Sequence, residues 1–371
     1  MVGTTYRYLF SFMVQSSRKM ILKSSVLKVR ARAVPGFLSN AALYLSSNFT
    51  TTAQEAGQAS AKLAAKTRKG SHNQHGMGTV LAHAGVFSST HTNTNDDASH
   101  YHNIPMSPPL HMATTYTRPA DGEYLETDSI YSRMDNPTRL LLEQEIARLD
   151  GHGLFARADD VQPRTVALSS GMQAVSTLIL AHRAPLTVLL PVDLYHGTST
   201  VLHEVFASFG VAIQRVDWRD LDNVKTGTIP ADHAVVVWME TPSNPLCHII
   251  DIDEVCTWTR VNIEQPTTIV VDSTLAPPTI QQPLQYGVDV VMHSATKYFA
   301  GHSDASLGTL TTNPTTVQGQ YLATRLPAVQ VMMGGVASTI DSWLCLRGLR
   351  TLSVRVRQQC QSAHRVAEYL Q

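Results

Sequence analysis

Two ionisable side chains, Asp272 and Lys297, follow separate apolar stretches in the second half of the chain. Asp272 ends the run that starts at Thr267, where a buried carboxylate is costly unless it meets a cation or a hydrogen-bond network. Lys297 follows Ser294 and Thr296, whose hydroxyls can bind an anion while the lysine amine forms a Schiff base. The combination predicts a site for a phosphorylated aldehyde with a protonated ring nitrogen. A structural ion pair is the alternative.

A short turn earlier in the chain indicates a second group of anion-binding donors. Ser170 and Gly171 follow the apolar run Thr165–Leu168 and open a predicted helix that runs toward Arg183. The first N–H groups of a helix and the helix dipole attract an anion, and glycine permits a close approach. Taken alone, the turn is equally typical of an ordinary helix cap. Together with Ser294–Lys297, it is predicted to complete a phosphate cup.

From residue 165 onward, short β-branched runs alternate with longer helical stretches. The predicted strands are Thr165–Leu168, Thr187–Leu190, Val211–Val216, Ala234–Met239, Thr267–Val271 and Val288–Met292. This alternation predicts an α/β fold, in which helices cover both faces of a mainly parallel sheet. Ligands of such sheets bind at the carboxyl ends of the strands. Each segment above follows a predicted strand, so the sheet is expected to position them at one edge.

Five collinear segments resemble the Cys/Met-metabolism PLP-dependent (transsulfuration) enzymes, which include cystathionine lyases and cystathionine γ-synthase. The resemblance covers residues 78–371, and its motifs are highly specific. The segments are Tyr131–Arg139, Ser170–Met172, Glu240–Pro245, His293–Tyr298 and Gly301–Asp304. This similarity implies the large domain of a PLP-dependent transferase of fold type I, the aspartate aminotransferase-like fold, with a mainly parallel mixed sheet between helices.

The resemblance also implies a role for each matching residue. Lys297 resembles the Schiff-base lysine, and Asp272 resembles the carboxylate that keeps the pyridine nitrogen protonated. Tyr195 resembles the catalytic tyrosine that stacks on the ring of pyridoxal 5'-phosphate, and Asn244 the residue bonded to its phenolic oxygen. The other cofactor-binding residues are Ser170, the phosphate-cup residues Gly171, Met172, Ser294 and Thr296, and Tyr131 and Arg133 from the neighbouring subunit. A homodimer is then the smallest active unit, and a homotetramer is expected.

The implied reaction is β/γ-elimination or γ-replacement on cystathionine or a related sulfur amino acid, with cystathionine lyase favoured. Lys297, expected to be buried, would remove the α-proton of the substrate. Ile130 and Thr198 differ from residues of some γ-specific members and of methionine γ-lyases, so methionine γ-lyase is disfavoured. The alternatives are a cystathionine γ-synthase, a homoserine sulfhydrylase, and a PLP-binding homologue with weak or no activity.

Composition limits the classes of partner. The 29 basic and 29 acidic residues give zero formal net charge, so no overall field attracts nucleic acid or an anionic membrane. No apolar run reaches the roughly 18 residues typical of a membrane span. The four cysteines are widely spaced and match neither a zinc site nor a disulfide scaffold, and no metal site is predicted. The expected partners are an amino-acid substrate and other copies of the chain.

The two ends of the chain carry separate expectations. Residues 1–54 contain no Asp or Glu but seven Lys or Arg residues, which is typical of a mitochondrial presequence. A cytoplasmic protein with a disordered tail, or a misassigned start codon, is the alternative. Residues 55–102 are expected to be a disordered linker and arm, 103–160 a clamp on the neighbouring subunit, and 161–350 the PLP-binding domain. Residues 351–371 are expected to begin the linker helix to a C-terminal small domain that this sequence lacks.

Overall fold

The computed structural model describes residues 77–82, 84, 106–117, 129–154, 162–182 and 185–371. The predicted presequence, residues 1–54, lies outside the described residues. So does most of the predicted linker over residues 55–102.

A mixed sheet of seven strands is the centre of the described fold. The strands are β1 Arg164–Leu168, β2 Leu186–Pro191, β3 Val211–Val216, β4 Ala234–Glu240, β5 Thr267–Asp272, β6 Val290–His293 and β7 Gly308–Thr312. Their order across the sheet is β1-β7-β6-β5-β4-β2-β3. The β7 strand runs antiparallel to β1 and β6, and the other four pairings are parallel. The predicted mainly parallel mixed sheet of an α/β fold is therefore confirmed.

Helices precede, connect and follow these strands. They are α1 Met77–Ala82, α2 Pro137–Asp150, α3 Gly171–Ala181, α4 His196–Glu204, α5 Ile252–Asn262, α6 Val317–Met333, α7 Thr339–Leu349 and α8 Leu352–Leu370. Short 3₁₀ turns span Phe206–Phe209, Leu221–Asn223 and Pro283–Tyr286. The predicted final helix, 352–370, is confirmed. In the described part of the chain, no helix combines the length and apolar character needed to cross a membrane.

Both faces of the sheet are covered, which explains the continuous apolar runs of its central strands. Residues 235–240 of β4 are all buried, as expected for a parallel strand between two helical layers. Val236 and Trp238 face a cluster with α3 and α6, whereas Val235 and Val237 face a cluster with α5. Alternate side chains of one strand thus enter opposite core layers.

The β7 strand is absent from the sequence prediction. Its sequence, Gly-Thr-Leu-Thr-Thr, has a single apolar side chain, Leu310, so it shows no hydrophobic period. The strand is nevertheless buried along its whole length, and the Thr311 and Thr165 hydroxyls hydrogen-bond at 2.8 Å. Backbone pairing with β1 and β6 makes a strand of a segment that the sequence pattern alone assigns to a loop.

Two helices lie in N-terminal segments expected to lie outside the core of this chain. The α1 helix lies within the segment expected to be a disordered linker, yet Leu81 and Ala84 are buried in a cluster that includes Leu352 and Val356. The α2 helix lies within the expected clamp, residues 103–160, and its apolar side chains join the same cluster of this chain. Parts of both segments are therefore core.

Candidate functional site

The turn between β1 and α3 forms one wall of the site. The Ser170 side chain accepts a hydrogen bond from Gln173 N at 3.0 Å and so caps α3, the ordinary role that the sequence left open. Gly171 lies against the segment after β6, because a Cβ at this position would be 3.0 Å from Ser294 Oγ. Gly308 of β7 packs against the same turn. The structure therefore brings together the two predicted halves of the phosphate cup.

Asp272 is buried at the carboxyl end of β5 and is linked to the cup through Thr274. Asp272 Oδ1 accepts hydrogen bonds from Thr274 Oγ1 at 2.6 Å and Thr274 N at 3.0 Å. Thr274 Oγ1 in turn accepts from Ser294 N at 2.8 Å. The second oxygen, Asp272 Oδ2, has no hydrogen-bond partner within the described ranges. This arrangement leaves one carboxylate oxygen available for a ligand.

Lys297 lies in a turn after β6, four residues beyond the strand end at His293. Its side chain is exposed and has no hydrogen-bond or ion-pair partner in the part of the chain that the structure describes. The expected burial of Lys297 is therefore wrong for this single chain. The turn lies beyond the end of β6, at the carboxyl edge of the sheet, so the side chain is accessible.

The two hydroxyls before Lys297 have different surroundings. Ser294 Oγ has no hydrogen-bond partner among the described residues. Thr296 Oγ1 instead donates to Leu307 O and accepts from Leu307 N, both at 3.1 Å. Thr296 thus holds the Lys297 turn against the segment before β7, and its phosphate role remains a prediction.

Tyr195 follows β2 and precedes the first turn of α4. Its side chain is about half exposed, and no side-chain hydrogen bond caps the helix there. A Cβ on Gly197 would lie 2.5 Å from Tyr195 Cε1 and 2.9 Å from Met172 Sδ. The predicted ring-stacking tyrosine and a predicted cup residue therefore flank the same glycine.

Glu240, the last residue of β4, is a buried carboxylate with no role in the sequence prediction. Its Oε2 accepts a hydrogen bond from Tyr195 N, and its Oε1 accepts one from Asn244 N, both at 2.8 Å. Glu240 thus joins the loops that carry two predicted cofactor-binding residues. The one sequence signal for it is a glutamate at the end of the apolar run Ala234–Met239, and that signal does not show which groups the carboxylate meets.

A second link joins the same two loops. The Ser243 hydroxyl donates to Asp193 Oδ2 in a short hydrogen bond, and His248 Nδ1 lies 3.5 Å from the same oxygen. His248 N also donates to Ser243 Oγ at 2.9 Å. The loops after β2 and β4 are therefore fixed to each other at two places.

The two buried carboxyl groups of the site affect each other. Asp272 and Glu240 are paired in register on neighbouring strands. Burial raises the pKa of Asp272, and the hydrogen bonds from Thr274 partly oppose that shift. Burial, and then the negative charge of Asp272, raise the pKa of Glu240 against the hydrogen bonds from Tyr195 N and Asn244 N. A cation that binds at Asp272 would relieve this repulsion.

The predicted pair from the neighbouring subunit, Tyr131 and Arg133, lies on a separate surface loop. Arg133 Nη1 donates to Val331 O at 2.7 Å, and its guanidinium lies 5.5 Å from the centre of the Tyr131 ring. Tyr131 is exposed. In this chain Arg133 contacts the end of α6, and the role of the two residues in a partner's site remains a prediction.

Comparison with protein families gives a match over most of the chain. The Cys/Met metabolism PLP-dependent enzyme family matches residues 88–371. Cystathionine beta-lyase MetC of Bacillus subtilis is 37% identical over 266 residues, which are 72% of this chain and 63% of that protein. The cystathionine gamma-synthase/O-acetylhomoserine (thiol)-lyase of the same species is 34% identical over 72% of this chain and 65% of that protein. This chain therefore spans less than two thirds of the length of these curated relatives.

A solved structure shows the same architecture. Cystathionine gamma-lyase from Lactobacillus plantarum, complexed with L-serine, aligns with a TM-score of 0.66 at 30% sequence identity. The alignment covers 80% of this chain and 69% of that one.

Proposed function

Because the chain belongs to the Cys/Met metabolism PLP-dependent enzyme family, we propose that it is a transsulfuration enzyme acting on cystathionine or a related sulfur amino acid. Its cofactor is pyridoxal phosphate. Cystathionine cleavage is the favoured reaction, and γ-replacement is the alternative. The observation that carries this proposal is the convergence of the Gly171–Ser294 cup, Asp272 and Lys297 at the carboxyl edge of one sheet.

The residues present fit the chemical groups of this cofactor. A phosphate needs hydrogen-bond donors in a narrow space, and the Ser294 hydroxyl and the amino end of α3 offer them beside Gly171. A protonated pyridine nitrogen needs a carboxylate, and Asp272 is buried with Oδ2 unpartnered among the described residues. An aldehyde carbon needs an amine. Lys297 is exposed and forms no ion pair with any residue that the structure describes.

The proposed roles follow from these fits. When bound, pyridoxal phosphate delocalises the electron pair left behind by removal of the substrate α-proton. Lys297 removes that proton from Cα and returns protons at later steps. Asp272 holds the proton on the ring nitrogen. Tyr195 covers the ring and accepts a proton from the incoming substrate amine.

A homodimer is proposed as the minimal active unit. The support is the open surface of the single chain, in which Tyr195, Asn244 and Lys297 are all exposed. Proton transfer at carbon is more efficient where bulk water is excluded. Tyr131 and Arg133 of a second copy would help to cover this surface, and a homotetramer of two such dimers is the proposed assembly.

Product analysis tests the proposed reaction. The full chain, loaded with cofactor, would be supplied with L-cystathionine. Homocysteine with pyruvate indicates β-elimination, and cysteine with 2-oxobutyrate indicates γ-elimination. Supplying cysteine and an activated homoserine tests γ-replacement through the formation of cystathionine. The Lys297→Ala variant is the control, and absence of all these products from cofactor-loaded wild type would contradict the proposal.

A further inference from the structure

Glu240 is one of two connections between the loops that carry Tyr195 and Asn244, and the other joins Ser243 to Asp193. Its two carboxylate oxygens are divided between them, one for each backbone N–H, at equal distances of 2.8 Å. These loops follow β2 and β4, which are adjacent strands of the sheet. One carboxylate therefore holds the backbone N–H groups of Tyr195 and Asn244 close to each other.

Burial of Glu240 removes its carboxyl group from water, which lowers the stability of the fold. The residue is only 4% exposed, and no lysine or arginine forms an ion pair with it among the described residues. The nearby charges are the carboxyl groups of Asp272 and Asp193, which repel it. Two backbone N–H groups offset the cost of burying this charge. One of them belongs to Tyr195, which directly precedes α4, and the dipole at the start of that helix favours an anion. Such a group destabilises the fold unless these hydrogen bonds offset its desolvation.

We propose that Glu240 is a positioning residue of the cofactor site, which fixes Tyr195 relative to Asn244. This inference rests on the proposed function for the roles of those two residues at the cofactor ring and its phenolic oxygen. The role assigned to Glu240 is indirect, because the contacts of its two oxygens are with the backbone amides of these loops.

Glutamine cannot replace this carboxylate. A carboxamide has one acceptor oxygen and one NH₂ donor, so one of the two backbone N–H groups would face another donor. The side chain keeps its size, and the strand keeps its packing. The Glu240→Gln substitution therefore tests the connection itself and leaves the volume of the core unchanged.

A matched control exists elsewhere in the sheet. Asp289 is also a buried carboxyl group, and its Oδ2 accepts a hydrogen bond from a backbone N–H, that of Ile269, at 2.7 Å. It directly precedes β6, at the opposite end of the strand from the proposed site. The Asp289→Asn variant therefore converts a comparably buried carboxyl group to an amide without a direct effect on the two loops.

The first measurement needs no cofactor. Hydrogen–deuterium exchange of the cofactor-free protein would be followed above about pH 8, where Glu240 is ionised, in peptides containing Tyr195 and Asn244. In Glu240→Gln, at least one of these amides is expected to exchange about tenfold faster or more, because a hydrogen bond to a charged group is lost. In Asp289→Asn, both amides should exchange as in wild type. Wild-type exchange at both amides in Glu240→Gln would overturn the proposal.

The second measurement uses the cofactor-loaded protein. The pH at which the visible absorbance of the bound cofactor titrates should shift in Glu240→Gln but not in Asp289→Asn, since Asn244 lies beside the phenolic oxygen in the proposed site. Turnover should fall about tenfold to a hundredfold, with a smaller change in KM, since misplaced groups slow the chemical step. If wild type shows the cofactor absorbance and that absorbance titrates at the same pH in Glu240→Gln, the role of Glu240 is wrong and the proposed function still stands. If wild type takes up no cofactor, the proposed function fails and this inference fails with it.

Discussion

Lys297 and Asp272 occupy opposite environments within one site. The lysine side chain is exposed on a turn, whereas the aspartate is 5% exposed and held by Thr274. An amine that must exchange partners with a substrate needs access, and a carboxylate that stabilises a ring cation needs a fixed position and low solvation. The difference in burial therefore agrees with the roles proposed for the two residues.

The Lys297→Ala variant should lose the covalent link to the cofactor. We expect no visible absorbance above that of free cofactor and no protein-bound adduct after borohydride reduction, since alanine has no amine. Lys225→Ala is the matched control, because Lys225 is the other lysine in the described part of the chain and is also exposed. A reducible adduct in Lys297→Ala, measured by mass spectrometry of the intact protein, would show that another amine holds the cofactor.

At the scale of elements, the site is a set of neighbouring strand ends. Asp272 and Glu240 end β5 and β4, and their carboxyl groups lie side by side because those strands are parallel and in register. Each raised pKa means that the folded protein holds a proton that the unfolded chain releases at the same pH. Stability should then fall as the pH rises above the ordinary values of 3.8 and 4.5.

This effect predicts the pH dependence of the cofactor-free protein. Its free energy of unfolding in urea should decrease between about pH 5 and pH 8 as these protons are lost. Asp272→Asn removes one carboxyl group and the repulsion on the other, so its decrease should be smaller. Unfolding curves of both proteins across that range provide the measurement. An equal slope in the two proteins would count against strong coupling of the pair.

The contact between β7 and the β1–α3 turn gives a second prediction at this scale. A Cβ on Gly308 would clash with the Ser170 carbonyl and lie 2.8 Å from Gly171 Cα. Gly308→Ala should therefore destabilise the fold by about 1–3 kcal/mol and weaken cofactor binding, because the turn must move. Gly227→Ala is the control, since nothing lies within 4 Å of its added Cβ. Thermal unfolding and cofactor titration would check both variants, and wild-type cofactor affinity in Gly308→Ala would contradict the close contact.

At the scale of the whole molecule, the exposed site predicts sharing between subunits. Arg133→Ala and Lys297→Ala chains should each be inactive alone. Mixed dimers contain one site with both groups intact, so random mixing should restore about a quarter of wild-type activity. Two differently tagged chains would allow the mixed dimers to be isolated and assayed. Verified mixed dimers without activity would exclude a shared site of this kind.

The N-terminal composition gives a prediction about the location of the whole protein. We propose mitochondrial targeting by residues 1–54, which carry basic but no acidic side chains. A fluorescent protein fused after these residues should enter mitochondria. Replacing their Lys and Arg residues with Gln is the control and should leave the fusion in the cytoplasm. Cytoplasmic fluorescence from the unaltered fusion would instead favour the alternative of a disordered tail.

Much of this organisation could be predicted from local sequence. The central strands are continuous β-branched runs, because a parallel strand buried on both faces must be apolar along its length. Ser170, Asp272 and Lys297 stand out because polar residues at the ends of such runs break the pattern. Strand ends of a parallel sheet meet at one edge, so sequence order alone indicates that these residues converge.

Only the tertiary structure identified β7, Thr274 and Glu240 as parts of the site. The β7 strand has no hydrophobic period, and its threonines become strand residues only through pairing across the sheet. Thr274, which holds Asp272, bonds to Ser294 across 20 residues of sequence, and Glu240 bonds to Tyr195 across 45. Local pattern records which side chains a segment buries. It does not predict which distant backbone amide donates a hydrogen bond to a buried carboxylate, because the register of neighbouring strands determines that donor.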